Sequence, residues 1–189
     1  MNSALLAGIF AGYAIAVPVG VIAVLIIETG MAGGLRRGFA AGAGAATVDL
    51  IYCVAALFIG SALSQILASA LLPLQVLSGI VLISIGVRGS VLQLYLRFIA
   101  LTALNPATVL YFLALAVGLP GIGSDPLLAV AFTVGAAGAS LSWQLLLAAI
   151  GAAAGRLLPE RAVSASRLVG QFLIIAFGTN IALTALAGA

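Results

Sequence analysis

Histidine and lysine are both missing from this chain of 189 residues. Without lysine there is no P-loop lysine and no Schiff base, and without histidine no histidine-ligated metal site. The single cysteine, Cys53, excludes an intrachain disulfide, and its place in an apolar stretch leaves the redox compartment open. Charge is scarce as well: 6% of residues are charged, against roughly 25% in soluble domains. That scarcity excludes an ordinary soluble domain.

What is present is apolar. Hydrophobic residues make up 65% of the chain and the mean hydropathy is +1.37. Charge-free runs cover 1–27, 50–87, 98–124, 126–155 and 168–189, where a membrane helix needs about 20 apolar residues. The run 50–87 is long enough for two spans, with Ser61, Ser64 and Gln65 marking the turn between them. With Asp49 accepted inside a span, the pattern predicts six, near 4–29, 38–60, 66–87, 94–118, 127–154 and 165–187. The fold class expected is all-α integral membrane, with one membrane domain over 1–189.

The pI near 9.6 is not a nucleic-acid signal. Arg36, Arg37, Arg88, Arg97, Arg156, Arg161 and Arg167 all fall at the first, third and fifth turns. Positive-inside bias then makes those turns cytoplasmic and sets both termini outside, in a multi-pass cell membrane protein. The first residues lack a basic leader, and their apolar run exceeds that of a signal peptide.

Two of the apolar segments are interrupted by proline, at Ala16-Val17-Pro18-Val19-Gly20 and at Leu104-Asn105-Pro106-Ala107-Thr108. Proline removes an N–H and leaves an upstream carbonyl without its partner. In lipid that carbonyl must face protein or a polar cavity. A weak repeat accompanies the pair. Pro18 and Pro106 are 88 apart, and Gly42-Ala43-Gly44-Ala45-Ala46 is echoed by Gly135-Ala136-Ala137-Gly138-Ala139 at 93. Leu77-Ser78-Gly79 is echoed by Leu168-Val169-Gly170 at 91. Three spans per half, 1–90 and 91–189, make an inverted 3+3 repeat with helices 1 and 4 broken at proline.

Asp49 is the one acid deep within a span. Counted from Gly38 it lies about 16 Å along a helix, near the middle of a core about 30 Å thick. Gly38, Gly42, Ala45, Asp49 and Tyr52 share one narrow helical face. Small residues mark helix contacts in membranes, so that face should turn toward the bundle. Asp49 then serves as a proton carrier or binds a substrate amino group; the plainer alternative is a structural aspartate bonded to Tyr52 or to a freed carbonyl. Asn105 offers an amide that binds a carboxylate or an amine, or only caps the broken helix. Gly20 lets the backbone approach a ligand or a neighbour. Ser142 and Trp143 are the repeat counterparts of Asp49. Glu28 is expected near the cytoplasmic end of the first span, as a surface partner for Arg36 or Arg37. Gln171 and Asn180 suit hydrogen bonds across helices.

Several of these motifs resemble one family. Gly8-x3-Gly12-x3-Ala16-Val17-Pro18-Val19-Gly20-Val21 is similar to the first-span signature of the lysine exporter (LysE/RhtB-type) translocators. The run from Arg37 to Tyr52, Gly-rich and closing on Asp49 and an aromatic, resembles their second-span signature. Gly79-x6-Gly86 fits the third-span glycines, and Leu104-Asn105-Pro106-Ala107-Thr108 the fourth-span Asn-Pro motif. No second proline follows Pro18, where many members have one. The resemblance implies a six-span secondary exporter of amino acids or related small zwitterions, ion-coupled, working by alternating access. It implies a central site at Asp49, Asn105, Pro18 and Pro106, to which the residues themselves add Gly20 and Tyr52.

The partners expected are a small-molecule substrate, a coupling ion and the lipid bilayer, with no nucleic acid and no cofactor; a homo-oligomer is left open. The alternative is a cation or heavy-metal transporter, which a single central acid and no histidine disfavour. An intramembrane enzyme lacks H-E-x-x-H, paired aspartates and a Ser–Lys dyad. A scaffold would leave Asp49 unexplained.

Overall fold

In a computed structural model, residues 1–18, 20–57, 90–118, 122–159, 161, 163 and 168 are described. The span expected at 66–87 and, but for Leu168, the one at 165–187, together with Gly79, Gly86, Gln171 and Asn180, lie outside them. Among the described residues every regular element is helical and there is no strand. The helices are α1 (Asn2–Ala16), α2 (Val21–Gly33), α3 (Leu35–Leu57), α4 (Val91–Ala103), α5 (Pro106–Gly118) and α6 (Pro126–Leu157), with a 3-10 turn at Ile122–Ser124.

Local chemistry sets the boundaries. α1 stops just before Pro18, which has no N–H to continue the ladder. α2 restarts from an extended Gly20. Gly34 joins α2 to α3 with φ +77°, a left-handed conformation in which a side chain would be strained. Ser90 and Gln93 close a capping box on α4. Asp125 caps α6, accepting from Leu127 N–H at 2.8 Å, and Pro126 occupies the first turn, where no N–H is needed.

α3 and α6 are each long and apolar enough to cross a membrane. The α1–α2 pair passes the same test as one broken unit, bent by 81°. Large apolar side chains such as Phe10, Leu92, Leu96, Val134 and Ile150 point outward, while Asp49, Thr102, Ser140 and Gln144 are buried. A soluble protein distributes these classes the other way.

α6 is the spine. A Cβ on Gly8 or Gly12 of α1 would collide with the backbone of Phe132 or Ala136. One on Gly151 or Gly155 would collide with Ile27 or Met31 of α2. Each of these pairs is 124 residues apart, so α1 and α2 both run along α6 in its own direction, in one register across the break. α3 runs the opposite way, with Gly38 against Ala148 and Gly42 against Gln144. α4 follows α3: Gly44 meets Tyr95, Phe98 and Ile99, and Tyr52 reaches Ala103 two turns on. Small residues let these backbones approach, as membrane helix packing requires. The same registers bring Arg36, Arg37 and Arg156 to one end of the bundle, with Asp125 at the other.

Candidate functional site

The two breaks and the central acid line a single cavity of about 180 Å³. Pro18 and Gly20 come from the first break, and Asn105, Ala107 and Thr108 from the second. Asp49 enters from α3, Thr102 from α4 and Gln144 from α6. Ile15, Ala16, Ile22, Ala23 and Tyr111 also line it. Of the residues singled out in the sequence, Pro18, Gly20, Asp49 and Asn105 meet here. Pro106 opens α5 next to Asn105.

Asp49 is 7% exposed. Its Oδ2 accepts a 2.5 Å hydrogen bond from Ser140 Oγ, across the α3–α6 contact that Gly42 permits. An isolated carboxylate in an apolar interior is costly, and this partner offsets part of the cost. Ser140 and Gln144 were not among the sequence candidates. They sit one turn apart on α6, whereas the repeat pointed to Ser142 and Trp143. Ser142 lies on the exposed side, donating to the Ala139 carbonyl at 2.8 Å and pairing with Tyr13 Oη at 2.9 Å. Trp143 packs against the core around Leu147, and its buried Nε1 has no hydrogen-bond partner. A stripe at four-residue spacing, Ala136, Ser140, Gln144 and Ala148, all buried, was the signal for the correct face.

Tyr52 serves the second break rather than Asp49. Its hydroxyl donates to the Ala103 carbonyl at 2.7 Å, and its ring meets Phe112 edge-on at 5.8 Å. In an unbroken helix the Ala107 N–H would take that carbonyl; here it donates to Asn105 Oδ1 at 3.2 Å. Asn105 thus caps α5.

Glu28 departs from expectation. It is 4% exposed, not a surface partner of Arg36 or Arg37. α2 lays the arc containing Leu25, Ile26, Glu28 and Thr29 inward, and that packing draws Glu28 in with it.

Two residues that line the cavity each hold a buried polar atom with no hydrogen-bond partner: Thr102 Oγ1 and Gln144 Oε1, in residues 3% and 6% exposed. No group of three or more metal-binding side chains occurs among the described residues. Comparison with protein-family models, with curated proteins and with solved structures finds no match to this chain.

Proposed function

We propose that the chain is a secondary transporter of the lysine exporter (LysE/RhtB-type) kind, moving an amino acid or related small zwitterion out of the cell by ion-coupled alternating access. The observation behind this reading is the one cavity shared by both proline breaks and by Asp49. Discontinuous helices meeting around a polar site are the usual architecture of such transporters. A six-span inverted 3+3 fold requires α3 and α4 to run alike and α6 to run with α1 and α2, as they do. Arg36, Arg37 and Arg156, at one end, favour a cytoplasmic location for that end and outward termini.

In this mechanism the cavity opens alternately to the two sides while α1–α2 and α4–α5 rock about their breaks. Asp49 exchanges a proton for the substrate: it takes one on the outside and releases it to the cytoplasm. Ser140 holds the carboxylate in position in both states.

Asp49→Asn tests this directly. The amide keeps size and hydrogen bonding but cannot ionise. Reconstituted at equal abundance, it should insert and fold yet lose net gradient-driven export of the amino acids that the wild type moves. Wild-type rates with unchanged pH dependence would reject the role given to Asp49. Uptake of divalent metals and not amino acids, in a radiolabelled panel, would favour the cation transporter instead.

A further inference from the structure

We propose that the cavity binds a neutral zwitterion of about alanine or serine size. Its ammonium sits among Asp49, Gln144 and Thr102, and its carboxylate at the amino end of α2. This rests on reading the cavity as the transport site.

The ammonium end follows from the unpartnered atoms. Gln144 Oε1 and Thr102 Oγ1 are buried without hydrogen-bond partners, and both residues line the cavity. Buried polar atoms in folded proteins normally find partners, so two such atoms in residues of one cavity mark a ligand's place. A primary ammonium has three N–H donors. The Asp49 carboxylate, Gln144 Oε1 and Thr102 Oγ1 supply three acceptors, from three helices.

The carboxylate end follows from the difference between the breaks. Among the described residues no arginine lines the cavity, so the anion is met by backbone donors. At the amino end of α2, Gly20 has no side chain to cap the first-turn N–H groups, and Gly20, Ile22 and Ala23 all line the cavity. A helix amino terminus favours an anion. The corresponding end of α5 is already occupied by Asn105.

The side chain must be neutral and small. Among the described residues Asp49 is the sole carboxylate on the cavity, and the ammonium uses it. A second cation, as in a dibasic amino acid, would be buried without a counter-charge. The volume of about 180 Å³ falls below the roughly 300–1,000 Å³ of typical ligand pockets.

The test uses the purified full chain in lipid nanodiscs with radiolabelled L-alanine. Serine should compete. Alaninamide, N-acetylalanine and lysine should compete about tenfold less or worse, each having lost one pole or gained a charge. Gly20→Asn supplies the missing cap, and a Cβ at Gly20 meets nothing within 4 Å, so the variant should unfold at the wild-type temperature or slightly above it. It should still bind alanine about tenfold more weakly, because its amide occupies the anion's donors. The proposal falls if wild type does not bind alanine, if lysine or alaninamide competes as well as serine, or if Gly20→Asn binds alanine like wild type. Counterflow in proteoliposomes separates the two claims. Binding with this selectivity but no movement overturns transport and leaves the site; movement of dibasic amino acids alone overturns the site and leaves transport.

Discussion

Each broken helix restarts after a proline step, but the two restarts differ in how their loose backbone groups are settled. At the second, Asn105 turns its side chain onto the Ala107 N–H and Tyr52 collects the Ala103 carbonyl. At the first, Gly20 has no side chain to offer, and α2 begins without a side-chain cap. Both face one cavity. A break capped by a side chain is a support; one without a side-chain cap leaves its first-turn N–H groups to other partners. The pair is therefore alike in position and unlike in chemistry, and the difference comes from one residue type, an amide against a glycine.

That contrast can be attacked at four places, in falling order of expected effect. The most damaging is to shift the open break bodily. Gly8→Ala drives a Cβ into the Phe132 carbonyl, so α1 must lift off α6. Overpacking of this kind costs about 1–3 kcal/mol, readable by reversible unfolding in mixed micelles. A variant as stable as wild type would mean that α1 does not lie in this register.

Next comes removal of the closed cap. Asn105→Ala frees the Ala107 N–H and should cost about 1 kcal/mol; Asn105→Asp, which also accepts, should recover most of it. Equal losses in both variants would show that the side chain is not acting as a cap. Tyr52→Phe leaves the ring on Phe112 but strands the Ala103 carbonyl, a loss of about 0.5–1.5 kcal/mol. Adding Asn105→Ala to Tyr52→Phe should give a non-additive total, since both act on one turn. Strict additivity would separate them. The smallest effect belongs to Gly20→Asn, which should raise stability by a few tenths of a kcal/mol. A clear loss would mean that the open break has no room for a cap.

Much of the site could be read along the chain. The inward face of α3 was legible from small residues at helical spacing, and Gly38, Gly42, Ala45 and Asp49 are indeed buried together. The break positions were legible because a missing N–H is a property of proline itself. The partners of those features were not. Ser140 is 91 residues from Asp49, and the repeat pointed two residues too far, to Ser142. A shift of two residues on a helix rotates a side chain by roughly 200°, which here separates the buried face against Asp49 from the outer surface. Glu28 misled for a related reason: nearness to a helix end suggests exposure, but the packed face decided it.

Sequence alone determined that helices break at Pro18 and Pro106 and that Asp49 stands in an apolar setting. These follow from bonds each residue can or cannot make with its immediate neighbours. Tertiary structure decided the rest: that Ser140 holds Asp49, that Tyr52 closes the second break, and that the first break stays open onto Gln144 and Thr102. Those outcomes depend on the register of α6 against α1, α2 and α3. That register is set by glycine-to-backbone contacts between residues far apart in the chain, which no local spacing encodes.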